Sequence, residues 1–243
     1  MKKLVVCLIA AVCGAFCGST VSSAIDMCKE EIICQINAVL DDSGEEQTVT
    51  VSGVRFAPDS SYFTDIKIRV SDGREIVPET NEGYGAGVAA FDFKGEGYCQ
   101  LFYYASSGGS GGFGYFYVFD CSEKDTATVF DYKKFINEYS AKCNDGFVDV
   151  YSGNDLFVTY DIRQSGINCD DYVYYGDTSA YVTDLNFLEP VFVYSQNHYR
   201  LNAWQNVIVG AQVNVVGRII TTLVYDKKKN AFVKGFSSVF GKQ

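Results

Sequence analysis

The sequence predicts an all-β protein built from antiparallel hairpins, with at most one or two short helices. Most apolar runs are short and alternate with polar residues, as in residues 47–53, 65–70 and 156–162. Turn-forming residues separate these runs, and the chain has 23 glycines but only 3 prolines. Alternation with a period of two is the pattern of half-buried strands, and glycine-containing turns join such strands into hairpins.

The first 24 residues have the pattern of a signal peptide. Lys2 and Lys3 give a positive start, residues 4–16 form an apolar run, and residues 22–24 (Ser-Ser-Ala) form a small-residue cleavage site. The apolar run is too short for a good membrane span, and no later stretch approaches the necessary length. We therefore expect an exported protein, periplasmic or extracellular, whose residues 25–243 form one β-rich domain.

The charge balance narrows the range of partners. Without the two lysines of the signal peptide, 18 basic residues face 30 acidic ones, a net charge of −12. A strongly acidic surface disfavours nucleic acid and anionic membranes as partners. We therefore expect the partner to be an unknown protein or glycan at the cell envelope.

Cysteine usage agrees with export. Six cysteines follow the predicted cleavage site, and an even number in an exported chain predicts disulfides. They are Cys28, Cys34, Cys99, Cys121, Cys143 and Cys169. Within the signal region, lipid attachment at Cys13 or Cys17 is the alternative to cleavage, although neither follows the small residue that such a site requires.

The glycine-rich segment at 106–114 is expected to be a long loop between two strands. A phosphate-binding loop would need a following Lys-Ser/Thr and a helix, and a strand follows instead. With Ser110 as the centre, paired residue numbers sum to 220, so Tyr103 faces Tyr117 and Cys99 faces Cys121. Directly opposed residues lie within the Cα separation that a disulfide accepts. We therefore predict a bond between Cys99 and Cys121.

Two further disulfides follow with less geometric support. Cys143 and Cys169 flank the next hairpin, at 147–162, and form the second predicted pair. Cys28 and Cys34 form the third pair by elimination.

Two segments bear on helix content. Residues 131–140 are predicted to be a short helix, because Phe135 and Tyr139 are spaced i,i+4. Residues 28–40 fit either a helix or a strand.

A weak repeat favours a particular arrangement of the hairpins. Similar turn segments recur about every 50 residues, at 42–46, 94–97, 144–146 and 195–197. A period near 50 in an all-β chain is typical of a β-propeller, here with about four blades. Chance spacing of hairpin turns is the alternative.

Residues 88–97 (Val-Ala-Ala-Phe-Asp-Phe-Lys-Gly-Glu-Gly), with the glycine hairpin that follows, resemble the VCBS (FG-GAP-like) repeat proteins of bacterial exported families. Those proteins carry Asp-Phe-x-Gly-Asp-Gly-x-x-Asp before a strand. The resemblance implies a β-propeller-like scaffold and a calcium loop of alternating carboxylates. Asp92 and Glu96 are the candidate ligands, but Lys94 and Gln100 occupy places where oxygen ligands are expected. We therefore expect a degenerate loop that kept its turn and lost its ion, with no other cofactor.

Catalytic chemistry has little support in the sequence. His198 is the only histidine, and it occurs in a predicted turn without a nucleophile motif. Four aromatic residues are candidates for a sugar-binding or peptide-binding surface, with a place in the core or at its rim as the alternative. They are Tyr172, Tyr174, Tyr175 and Trp204.

These observations favour an exported, non-enzymatic binding or structural module of the bacterial envelope. The alternative is a secreted hydrolase that acts on glycans through two carboxylates. Acidic residues that could serve such a reaction are Asp149, Asp155, Asp161 and Asp184.

Overall fold

The computed structural model describes residues 29–109, 111–175 and 179–241. The predicted signal peptide, the alternative lipid sites Cys13 and Cys17, and Cys28 lie outside these ranges. The described chain is all-β, as predicted: it has sixteen strands and two short 3-10 helices, and no α-helix occurs in the described ranges.

The first sheet has eight antiparallel strands in the order β1-β2-β3-β5-β6-β7-β8, with β4 beside β3. Its strands are β1 (Glu30–Val39), β2 (Glu46–Arg55), β3 (Tyr62–Val70), β4 (Glu75–Ile76), β5 (Gly83–Phe91), β6 (Gln100–Ser106), β7 (Gly114–Asp120) and β8 (Ala127–Asp131). The amide of Cys99 donates to the carbonyl of Val39 at 2.8 Å, so the region before β6 meets the end of β1. The sheet therefore curls into a half-barrel around its own apolar core.

Two smaller sheets complete the fold. The second contains β9 (Tyr139–Asn144), β10 (Phe147–Ser152) and β11 (Asp155–Asp161). The third contains β12 (Ala180–Val182), β13 (Phe187–Val193), β14 (His198–Val209), β15 (Val215–Asp226) and β16 (Ala231–Gly241). Strands β12 and β13 both pair with β14, which also pairs with β15. The 3-10 helices span Tyr132–Lys134 and Cys169–Tyr175.

The β14–β15 hairpin takes part in two cores. Leu201 and Ala203 on β14 pack with Phe102 and Phe116 of the half-barrel sheet. Farther along the same strand, Val207 packs with the three-stranded sheet. Because side chains alternate along a strand, these apolar residues of β14 share one face, and the opposite face is free to carry other residues.

Several sequence predictions can be compared with these elements. The register of β6 with β7 is confirmed: Leu101 faces Phe119, and each pair through Ser106 and Gly114 sums to 220. Residues 28–40, which were ambiguous, contain the strand β1. The helix predicted over 131–140 is wrong, because only Tyr132–Lys134 is helical, as a single 3-10 turn.

The physical reason for this error is that the two aromatic residues serve different cores. Phe135 packs against the core that includes Phe130, and Tyr139 packs against the core of the three-stranded sheet. A single helix face could not place both rings in their separate cores. The four repeated turns do lie between strands, but the described strands form sheets of eight, three and five, so the blade count is not confirmed.

Candidate functional site: an aromatic groove

The glycine-rich loop between β6 and β7 lets aromatic rings lie directly on its backbone. A Cβ atom at Gly108 would lie 2.2 Å from the ring of Tyr84, and one at Gly114 would lie 2.4 Å from the ring of Phe116. Gly108 also has φ +76°, which side chains rarely adopt. The glycines therefore serve the packing of aromatic rings at this surface.

These rings line a groove that runs from the half-barrel sheet onto the third sheet. It consists of two adjoining cavities of about 470 and 390 Å³, which share Gly112, Asn186 and Phe187. We call it the aromatic groove and define it by six of its lining residues: Tyr84, Tyr104, Phe116, Phe187, Trp204 and Arg218.

The aromatic rings lie near one another in a partly exposed strip. Phe187 is 51% exposed and meets Phe116 edge-on, with 6.1 Å between ring centroids. Tyr104 faces Phe116 across β6 and β7, and it is 40% exposed. At the other end, Trp204 stacks on Phe240 at 6.4 Å. Such a strip offers flat apolar faces for a ligand to lie on.

Polar groups lie along the same groove. The Asn206 side-chain amide donates to the Asn186 side-chain oxygen at 3.1 Å, and the Asn186 amide donates to the carbonyl of Gly111 at 2.7 Å. The indole N–H of Trp204 donates to the Glu189 carboxylate at 3.2 Å. A few fixed polar groups among aromatic side chains are typical of a ligand site.

The predicted aromatic surface is present only in part. Trp204 lies in the groove, but Tyr172 packs with the core of the three-stranded sheet, and its hydroxyl accepts a hydrogen bond from Asn214 at 2.8 Å. The side chains of Tyr174 and Tyr175 lie outside the described residues. Tyr84, Tyr104 and Phe187 were not among the predicted residues. The aromatic residues on both faces of the β6–β7 hairpin were a signal for Tyr104 alone, since Tyr84 lies on β5 and Phe187 on β13.

The loop that resembles a calcium site is built around hydrogen bonds within the chain. One carboxylate oxygen of Asp92 accepts from the amides of Gly95 and Glu96, at 2.6 and 3.2 Å, and the other accepts from Gly97 at 2.9 Å. Both oxygens therefore hold the turn. Among the described residues, no group of three acidic, histidine or cysteine side chains is placed to hold a metal ion.

The other residues of this loop are also engaged. Glu96 binds Lys227 of the β15–β16 turn at 2.8 Å and accepts a hydrogen bond from the hydroxyl of Tyr98. These two contacts lower the pKa of the Glu96 carboxyl. Lys94, which stands between Asp92 and Glu96 in the sequence, forms an ion pair with Asp120 and so brings an ammonium group to this region. The residues present do not fit calcium.

We expect calcium to leave the stability of this protein unchanged, whereas Asp92→Asn lowers it by about 1–2 kcal/mol. An amide side chain has only one oxygen to accept the three backbone bonds, and bonds to charged groups contribute more than neutral ones. Thermal unfolding of both proteins with millimolar CaCl₂ and with EDTA measures this. A filled site at 100 times its dissociation constant would add about 2.7 kcal/mol. A rise of that size in the parent protein alone would contradict our interpretation.

The structure contains one of the predicted disulfides. Cys143 and Cys169 are bonded, with 5.8 Å between their Cα atoms, and the bond joins β9 to the second 3-10 helix. The predicted Cys99–Cys121 bond is not formed, since both residues are free thiols, although both lie in the half-barrel core. The predicted Cys28–Cys34 pair includes a residue outside the described ranges. Burial raises the pKa of the Cys121 thiol to about 11, which disfavours the reactive thiolate.

The acidic candidates for hydrolysis do not converge on the groove. Asp149 accepts a hydrogen bond from Thr159 at 2.6 Å, and Asp161 pairs with Arg163, which lowers the pKa of the Asp161 carboxyl to about 2. Asp155 begins β11, and Asp184 lines a separate cavity beside Tyr132.

His198 also lies outside the groove. Its ring nitrogen Nδ1 lies 3.1 Å from the carbonyl of Gln196 in the β13–β14 turn.

Comparisons with known proteins leave the groove as the main guide to function. In the described ranges, no helix has both the length and the apolar character to cross a membrane. No protein-family model matches the chain. No curated protein and no solved structure is significantly similar to it.

Proposed function

We propose that this protein is an exported, non-enzymatic binding module that takes an extended ligand in the aromatic groove. The observation that carries the proposal is the row of aromatic rings from Tyr84 to Trp204 along one continuous depression, in which Tyr84, Tyr104 and Phe187 are exposed. Exposed aromatic surface in a soluble protein typically marks a place where a ligand or partner packs.

The acidic residues of the groove support binding over cleavage. Glycoside hydrolysis usually needs two carboxylates that flank the scissile bond, about 5–10 Å apart. Of the described residues that line the aromatic groove, Glu189 is the only acid, and its carboxylate accepts from the indole of Trp204. A carboxylate pair is therefore missing where a ligand would lie on the rings.

Two further parts of the proposal rest on the sequence. Export is supported by the signal-like N-terminus, and the Cys143–Cys169 disulfide is compatible with it. A VCBS-type propeller origin is supported by the motif at residues 88–97 and by the four repeated turns. These features suggest a scaffold of repeated hairpins that presents a binding surface.

The single tryptophan gives a direct test of ligand binding. Because Trp204 is the only tryptophan in the chain and lies in the groove, its fluorescence reports on this site alone. We expect a library of envelope glycans and peptides to contain a ligand that changes this fluorescence with saturation. We also expect Phe187→Ala to weaken the binding of that ligand by about tenfold, because it removes a ring contact that contributes roughly 1.4 kcal/mol.

Tyr194→Ala is the matched control for the Phe187 variant. Tyr194 is 89% exposed and lies in the turn at the opposite end of β13, away from the groove. Its loss should leave binding unchanged. Equal effects of the two variants, or no fluorescence response to any ligand, would contradict the proposal.

A further inference from the structure

One arginine on the third sheet is placed to recognise a negative charge in the groove. Strand register sets Phe187 opposite Trp204, and sets Asn206 opposite Arg218, which faces Phe240. Neighbours on one strand alternate between faces, so these residues lie on the face opposite the apolar residues Leu201 and Ala203. This face therefore carries two rows of side chains across the strands. One row contains the rings of Phe187 and Trp204, and the other contains Asn206, Arg218 and Phe240.

Arg218 differs from the other arginines because its side chain has no hydrogen-bond or ion-pair partner among the described residues. Arg55, Arg69, Arg74 and Arg163 each bind a carboxylate, and Arg200 binds the side chain of Gln196. The Arg218 guanidinium is exposed, lines the groove and makes no hydrogen bond or ion pair with a described residue. In a chain of net charge −10, an exposed guanidinium that is unpaired among the described residues and lies beside aromatic rings is complementary to an anionic ligand.

The groups around Arg218 narrow the chemistry of that ligand. A guanidinium fits a carboxylate through two parallel hydrogen bonds. The Asn206 side-chain oxygen accepts no hydrogen bond from the described residues, so it can accept one from a ligand hydroxyl. Phe187 and Trp204 offer flat apolar faces of the size of a sugar ring. Glu189 lies two rows away from Arg218, opposite Asn202, where it would face an uncharged part of the ligand.

We propose that the aromatic groove binds an acidic glycan, with sugar rings on Phe187 and Trp204 and a uronic-acid carboxylate on Arg218. This inference rests on the proposed binding function and names its ligand class. It requires three features in one ligand: a carboxylate, hydroxyl groups and stacked apolar ring faces.

The experiment compares an oligogalacturonate with its fully methyl-esterified form, using Trp204 fluorescence. The two ligands share rings and linkage, and differ only at the carboxyl groups, where each methyl ester removes the negative charge and adds one methyl group. We expect the acidic form to bind more tightly by about tenfold or more, since charge-assisted hydrogen bonds are roughly twice as strong as neutral ones. Arg218→Gln should remove this preference and leave the affinity for the esterified ligand unchanged.

Lys228→Gln is the control for the change in net charge. Lys228 lies in the exposed β15–β16 turn, outside the groove, so its removal should leave the preference intact. Equal affinity for the two ligands, or equal effects of Arg218→Gln and Lys228→Gln, would overturn the acidic-glycan inference. If peptides bind and glycans do not, that inference also falls while the groove remains a binding site. If no ligand of either class changes the fluorescence, the proposed binding function falls with it.

Discussion

Lys94→Met is expected to destabilise the protein by about 3 kcal/mol, because it leaves a buried carboxylate without its counter-charge. The side chains of Lys94 and Asp120 are only 11% and 6% exposed. The ammonium also lies 3.3 Å from the Ser122 hydroxyl, and 5.7 Å from the ring centres of both Tyr98 and Tyr225. Without the lysine, Asp120 must be either charged and unpaired or protonated, and both states cost free energy in a site with little water.

Urea unfolding of the parent and the variant measures this loss. Lys133→Met is the matched control, because its partner Glu79 is 67% exposed, and exposed pairs contribute little. The double variant Lys94→Met/Asp120→Asn should recover most of the loss, because it removes the buried charge as well. A Lys94 variant no less stable than the Lys133 variant would show that the pair is unimportant.

Removal of the Cys143–Cys169 disulfide is expected to cost about 3–4 kcal/mol. The bond closes a loop with a sequence separation of 26, and the chain-entropy relation gives a value of this size. It holds the second 3-10 helix against β9, where Tyr172 and Ile167 contribute to the core of the three-stranded sheet. Urea unfolding of the Cys143→Ser/Cys169→Ser variant measures the loss.

Addition of dithiothreitol distinguishes the contribution of this bond to stability from that of the other predicted disulfides. Reduction should destabilise the parent by the same amount as the double variant, and it should leave the double variant unchanged. A further loss in the double variant would reveal another bond, such as Cys28–Cys34 or Cys99–Cys121. A parent protein that is insensitive to reduction would contradict the contribution assigned to Cys143–Cys169.

The sequence was informative where structure is set by neighbours along the chain. The β6–β7 register could be predicted because aromatic residues alternate on both sides of one glycine loop, which fixes the pairing of every residue from Leu101 to Ser106. The Cys143–Cys169 pair was accessible for a related reason, since the two residues flank a short hairpin. In both cases the relevant contacts span few residues.

The groove could not be predicted because it depends on contacts between distant parts of the chain. Phe187 meets Phe116 only because the third sheet packs on the outer face of the half-barrel. Nothing local distinguishes Phe187 from its buried neighbour Leu188, and nothing local separates Trp204 from Tyr172. Likewise, that the guanidinium of Arg218 lacks a partner among the described residues is visible only once the carboxylates of those residues have been located.

The β14–β15 hairpin has a consequence for how this protein unfolds. Leu201 and Leu223 stabilise the contact with the half-barrel, while Val207 and Ile219 stabilise the contact with the three-stranded sheet. Neither core can lose this hairpin and keep its apolar residues covered. The half-barrel and the three-stranded sheet should therefore unfold in a single cooperative transition. A fragment that ends before residue 180 lacks the hairpin, so it would expose one side of both cores and fail to fold alone.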